Sequence, residues 1–345
     1  MKAKLTLVAI VLSSVFCGCA PRPGTPDPLE EGKELLTVDF NETETLRYKF
    51  VSHRDIVLSW GPTTGRRGEK AEDAYSESLE MVMAYKPIEV DRYGLTVIEA
   101  TCESVKPQRS TPSRKTLRNS KDPVKMLAGR SFTFTVAPTG EIADYSEMEA
   151  LIREMGEKAF YDRRSQGRIK KPDMVGDFIA SQWFLWDSIS SIENPLKGVG
   201  PGDSWTSVLS VPSPLVMRKA RDVKYDFVAI RKPPGKRLAL IRSSYSVAES
   251  VPEGWPKPYP PGGFQVEGRF GMLRRLRINK LEGKGEELFD IDAGRIVKYT
   301  QKFNMEVGAI LMFPLPGTDP RIKIEQKLTM ELLGGKGPGT RKPRR

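Results

Sequence analysis

The stretch Phe132-Thr-Phe-Thr-Val-Ala-Pro-Thr-Gly-Glu-Ile-Ala-Asp-Tyr145 alternates apolar and polar residues, breaks at Pro-Thr-Gly, and resumes. Side chains alternate faces along a strand, and glycine accepts the positive φ of a tight turn, so the segment reads as a β-hairpin. A second copy follows at Leu288-Phe-Asp-Ile-Asp-Ala-Gly-Arg-Ile-Val-Lys-Tyr299. Gly140 and Gly294 each precede an Ile (142, 296) and then a Tyr (145, 299) at equal spacing.

Working outward, the same alternation fills most of the chain. Leu36, Val38 and Phe40 alternate, then Leu46, Tyr48 and Phe50, then Ile56 and Leu58, and the pattern predicts antiparallel strands joined by polar turns. Residues 76–90 and 95–105 form a hairpin across Gly94, and 218–230 and 237–247 form one across Gly235. Tyr85 and Tyr225 open matched patterns before these turns, so two hairpins recur in the same order in each half. That order points to duplication of one β unit. Residues 321–332 read as a closing strand.

Between the halves the period changes. Ser146-Glu-Met-Glu149 has the form of a capping box, followed by Leu151, Ile152, Met155, Ala159 and Phe160 at helical spacing. A basic linker separates this from a second helix, expected over 172–190. There Val175, Phe178, Ile179, Gln182, Leu185, Trp186 and Ile189 share one stripe, while Trp183 and Phe184 lie off it. Such a helix is either wedged between two layers or forms the wall of an apolar groove, with Phe178, Trp183 and Trp186 as candidate groove residues. The expected fold is therefore α+β and mainly antiparallel β, a duplicated curved sheet with two central helices packed on it. Residues 34–145 form the first β unit, 146–197 a helical insert, and 198–333 the second β unit.

The ends of the chain carry other signals. Residues 1–18 have a basic start (Lys2, Lys4), an apolar run from Leu5 to Phe16, and a small-residue exit, which is the form of a signal peptide. The Gly18-Cys19 exit resembles the lipobox of bacterial lipoproteins, with Phe16 and Cys17 departing from the usual residues. The resemblance implies a lipid on Cys19; the alternative is ordinary secretion with a free cysteine. Ala20 after the cysteine, where Asp favours inner-membrane retention, points to the outer membrane facing the periplasm. Residues 19–33 form a Pro-rich tether, and 334–345 a basic tail of disordered composition.

Composition narrows the chemistry. The chain has 345 residues, 29% of them charged, and a net charge of +11, of which the leader carries Lys2 and Lys4. Six basic residues and no acid lie between Lys106 and Lys121, read as a basic loop. Such loops are solvated surface or meet anionic partners. Cys102 is the one cysteine beyond the leader and tether, so no intrachain disulfide is available to the body, and it reads as a small buried residue. The single histidine, His53, is placed at a strand edge without a nucleophile elbow. No Cys/His cluster suits zinc, and Gly198-Val-Gly-Pro-Gly lacks the Lys of a phosphate loop. Asp290 and Asp292 sit at a turn, where Asp caps its own backbone. No cofactor, metal or nucleic-acid partner is expected.

Taken together, the lipobox, the run Gly129-Arg-Ser-Phe-Thr-Phe-Thr-Val-Ala-Pro-Thr-Gly-Glu-Ile142, the helices, and Val199-Gly-Pro-Gly-Asp-Ser-Trp205 resemble a family of exported bacterial proteins with no assigned activity. The resemblance implies no catalytic residues. At the level of fold, the expected build is also similar to the periplasmic carriers of lipoproteins, which hold acyl chains in an apolar cavity. Two expectations follow. One is a membrane-tethered envelope lipoprotein with a non-catalytic binding or structural role, meeting anionic polymer, lipid or protein. The other is a carrier of an apolar, lipid-like ligand in a groove between sheet and helix.

Overall fold

The computed structural model describes residues 32–61, 72–110, 122–160, 169–170, 174–212, 219–252, 255, 265–266, 273–311 and 320–334. The leader, Cys19, most of the tether and the basic tail lie outside them. The first strands are β1 (Leu46–Ser59), β2 (Glu72–Val90), β3 (Thr96–Ser110), β4 (Ser131–Val136) and β5 (Ile142–Asp144). Next come α1 (Ser146–Phe160), the two-residue β6 (Ile169–Lys170), α2 (Val175–Phe184) and α3 (Asp187–Ser190). The second run is β7 (Ser204–Ser210), β8 (Ala220–Arg231), β9 (Leu238–Val247), β10 (Gln265–Val266), β11 (Leu273–Asp290), β12 (Arg295–Leu311) and β13 (Arg321–Leu332). Short β6 and β10 pair with each other; the other eleven strands make one open antiparallel sheet, in the order β5-β4-β3-β2-β1-β13-β12-β11-β9-β8-β7.

The chain thus starts at the centre of the sheet and meanders to one edge. It then passes through the helices to the far edge and meanders back, until β13 pairs with β1 from Tyr48↔Leu332 to Ser59↔Arg321. Inward residues follow the alternation: β13 buries Ile322, Ile324, Gln326, Leu328 and Met330 and exposes Lys323, Glu325 and Lys327.

Two observations show how far the sheet curls. Phe178 of α2 meets Phe132 of β4 with ring centroids 6.0 Å apart, and Asp187 bonds Tyr225 of β8. Those residues are nine apart, a helical rise of about 14 Å. In a flat sheet the two strands, eight steps apart in the order, would be separated by about 38 Å. Second, the turns at Gly140 and Gly294 converge on consecutive residues: Val38 N–H donates to Pro138 O at 2.8 Å and Asp39 N–H to Gly294 O at 3.1 Å. The sheet closes around the helices as an incomplete barrel.

Several expectations change. Residues 34–40 are extended and bury Leu36, Val38 and Phe40, but they form no ladder strand: Val38 and Asp39 donate to turn carbonyls, and Glu34 to Val199. The helix expected over 172–190 is two pieces, broken at Leu185–Trp186, where the chain drives Trp186 into the core and aims Asp187 at Tyr225. Ser146 lies inside α1: Glu149 N–H already donates to Tyr145 O, and Asp144 accepts from Ser146 N–H at 2.9 Å. Lys106 and Arg109 belong to β3 rather than to a loop. His53 sits on the outer face of the central strand β1, not at an edge.

Gly294 carries the strictest backbone requirement. Its φ is +58°, and a Cβ there would lie 2.5 Å from Asp39 N. Gly235 also has a positive φ, +73°, but its Cβ would meet nothing within 4 Å. Gly294→Ala is therefore expected to cost about 2–4 kcal/mol by denaturant unfolding, and Gly235→Ala only the left-handed penalty of about 1–2 kcal/mol. Equal losses would show that the contact with residues 37–39 adds nothing.

Candidate ligand-binding interior

The groove residues named from sequence divide. Phe178 is fully buried against Phe132, and Trp186 is 1% exposed, edge-on to Phe40 at 5.5 Å and to Tyr85 at 6.3 Å. Trp183 is half-buried at the border of the core, with its ring edge-on to Tyr145 at 5.7 Å. The core is rich in thioether: Met81, Met83, Met305 and Met330 are buried on the sheet, and Met148, Met155 and Met174 are buried on the helical side.

The contacts between helices and sheet are polar to an unexpected degree. On one side Asp177 of α2 accepts from Arg54 Nη1 at 2.8 Å, from Gln326 Nε2 at 3.0 Å and from Ser52 Oγ at 3.1 Å. Arg54 Nε donates to Glu77 at 2.6 Å; Glu77 also accepts from Arg109 Nε at 2.9 Å, and Arg109 pairs with Asp122. Asp122 in turn accepts from Val124 N–H, capping a short 3-10 helix at 123–127. Burial works against the Glu77 carboxylate, yet Arg54 and Arg109 hold it below its usual range. Burial raises Asp177, against the pull of Arg54. Further along, Tyr85 donates to Gln182 at 2.9 Å.

On the other side Asp187 accepts from Tyr225 at 2.6 Å and Ser207 at 2.8 Å, Ser188 Oγ donates to Glu287 at 2.6 Å, and Trp205 Nε1 donates to Ser188 O at 2.8 Å. Burial pushes Asp187 up to about 6 and Glu287 up to about 8. Glu287 is therefore mostly protonated at neutral pH. Beside this group, Ser243, Tyr245, Tyr299 and Gln301 form a hydrogen-bonded chain with steps of 2.7, 3.1 and 2.9 Å. Arg221 is wholly buried among the rings of Tyr245, Phe184 and Phe303, its Cζ lying 4.4, 5.1 and 5.5 Å from their centroids.

These buried polar residues were missed in the sequence, although a signal existed. Arg54 shares strand parity with Ser52, Ile56 and Leu58, and Arg221 with Val223, Tyr225 and Phe227, so alternation alone puts both inside. Cys102 is buried in β3, and burial pushes its thiol up to about 12, away from thiolate chemistry. Asp290 caps Ala293 N–H at 3.1 Å, and Asp292 accepts from Arg237 Nε at 2.9 Å. On the outer face a groove of ≈ 780 Å³ crosses five strands, bordered by His53, Arg242, Lys284, Lys302, Glu325 and Lys327. Among the described residues, no group of His, Cys, Asp and Glu is placed to hold a metal ion, and no helix is long and apolar enough to cross a membrane.

Two outcomes follow from this geometry. Trp186→Ala is expected to cost about 3–5 kcal/mol, as large-to-small core changes do, and Trp183→Ala clearly less; equal losses in thermal unfolding would contradict the division. The second concerns pH. Folded Glu287 keeps its proton up to about pH 8, whereas in the unfolded chain it is lost near 4.5. The folded state therefore binds more protons across that window, and stability falls as pH rises, by up to about 1.4 kcal/mol per unit. Asp187 adds to the slope only up to about pH 6. Glu287→Gln should flatten the profile between pH 6 and 8; an unchanged slope in urea titrations at several pH values would overturn the assignment.

No protein-family model and no curated protein matches this chain. Among solved structures, one of lipid–protein interactions in lipovitellin is similar over 86% of this chain and 26% of that chain, with 9% identity and a TM-score of 0.36. The chain thus spans about a quarter of the length of that structure. A likeness of that degree bears on neither ligand nor role.

Proposed function

We propose that this protein is a non-catalytic binding protein of the bacterial envelope, tethered through a lipid on Cys19, that takes an apolar, lipid-like ligand between its helices and its sheet. The observation that carries the reading is the polar seam between α2–α3 and the sheet. A helix layer meant only to fill a core is packed by apolar jigsaw contacts. Here the buried Asp177–Arg54 pair fixes α2, while Gln182 and Asp187 accept and Ser188 donates hydrogen bonds that water can replace when that part of the layer moves. Displacing the layer uncovers an aromatic and methionine-lined wall, and methionine repacks readily around varied apolar shapes.

The second reading is a tethered scaffold whose interior stays filled, with anionic polymer, lipid or protein as its partner. The tight packing of Phe178 and Trp186 favours it, as do the basic residues around the outer groove. Under either reading, the shared order of hairpins around Gly94 and Gly140, and around Gly235 and Gly294, supports an origin by duplication. In sheet order β2-β3-β4-β5 and β8-β9-β11-β12 are meanders running the same way.

Two measurements test the reading. Cys19→Ser should move the protein from the membrane fraction to the soluble fraction; unchanged fractionation removes the tether. Adding a fatty-acid or phospholipid probe should shift the tryptophan emission of the protein, and Trp183→Phe should abolish most of that shift. Emission that ignores the probe leaves the scaffold.

A further inference from the structure

Arg54 and Arg221 are both buried in the same sheet, and their surroundings differ in one respect. Arg54 has the carboxylates of Glu77 and Asp177 within 2.8 Å. Among the described residues none is in ion-pair or hydrogen-bond contact with Arg221, and its Nε, Nη1 and Nη2 all lack an acceptor. The nearby acids are engaged elsewhere, Asp187 by Tyr225 and Ser207, Glu287 by Ser188. Rings of Tyr245, Phe184 and Phe303 stand over the guanidinium. Cation–π attraction offsets only part of the cost of burying a charge.

The other orphaned polar atom of this cluster is also a donor. Gln301 Oε1 is taken by Tyr299, which leaves Nε2 without a partner. Trp186 Nε1, on the neighbouring helix break, is a third orphaned donor. A buried cluster with donors to spare and no acceptor is complementary to an anion. One guanidinium supplies one positive charge, which matches a monoanion rather than a phosphate dianion. Of the acids nearby, Glu287 is protonated at neutral pH, and Asp187 feels the Arg221 charge without touching the guanidinium, so every side-chain N–H of Arg221 is still without an acceptor. Leu281 and Met305 line the same face as Phe303, so the surroundings suit an apolar chain attached to the head.

We infer that Arg221, with Gln301 Nε2 beside the Tyr245–Tyr299 pair, is the recognition site for the monoanionic head group, a carboxylate or a phosphodiester, of an amphiphilic ligand. This rests on the carrier reading and names its ligand class. The site also explains why the chain keeps an unpaired charge in its core: removing such a group generally stabilises a fold, so its retention points to binding.

The test uses the full-length protein, with dodecanoate, methyl dodecanoate and dihexanoyl phosphatidylglycerol as probes in calorimetric titration. The variants are Arg221→Met and Arg221→Lys. Wild type should bind one of the two anionic probes roughly tenfold or more tighter than the ester, the scale of one charge-assisted hydrogen bond. Arg221→Met should lose that preference and keep ester binding within about twofold, while Arg221→Lys, lacking the planar fork, falls between. Whichever anion shows the preference identifies the head group. Arg221→Met should also melt at the same temperature as wild type or higher, which separates lost binding from lost folding. A lower melting temperature would assign Arg221 a structural role and overturn the inference. Anion and ester binding alike in wild type and Arg221→Met would overturn it while leaving the carrier reading intact. Binding of no probe would remove both.

Discussion

The fold depends on the pairing of β1 with β13. These strands lie at opposite ends of the chain, and their register, Tyr48↔Leu332 to Ser59↔Arg321, joins two meanders into one sheet. Without it, each half would end on a long apolar strand with free N–H and C=O groups, a template for association. Loop closure over so long a separation costs entropy only logarithmically, whereas the pairing returns a full ladder and a buried face. It also sets Arg54 and Gln326 opposite each other at the centre of the barrel, where α2 delivers Asp177.

The two buried arginines show what that enclosure can be used for. In the first half, charges alternate from Asp177 through Arg54, Glu77 and Arg109 to Asp122, tying α2, β1, β2, β3 and the 3-10 helix together. A network like this stabilises little against an apolar replacement, but it punishes any packing that separates its members. It therefore selects one placement of α2. In the second half, acids, tyrosines and an arginine are enclosed, and no acid is in direct contact with the guanidinium. One half fixes the helix layer, and the other holds chemistry in reserve.

Much of the fold was legible because period-2 alternation survives even where strands are long. β4, β5, β11 and β12 fall where the Gly140 and Gly294 hairpins put them, and β8 and β9 where the Gly235 turn does. What alternation hides is connectivity: nothing local in Arg321–Leu332 says that its partner is β1. Nor does helical periodicity reveal a break dictated from outside, as at Trp186, where Phe40, Tyr85 and Tyr225 decide the path of the chain. Interior charges are easy to overlook because charged residues rarely lie inside, although the parity of Arg54 and Arg221 points inward. The groove residues were half legible: apolar character put Phe178 and Trp186 in the core, but the rim position of Trp183 needed Tyr145 beside it.

Residues 34–40 have a mechanical consequence. The stretch enters between the turns at Gly140 and Gly294, bonded to one through Val38 and to the other through Asp39, and is fastened to Val199 through both backbone bonds of Glu34. Tension on the chain ahead of Lys33 therefore reaches no strand end first. It is divided among both meanders and the segment after the helices, and it loads those hydrogen bonds together. A pull from that side would tighten the closed end of the barrel against its own turns rather than peel away a strand.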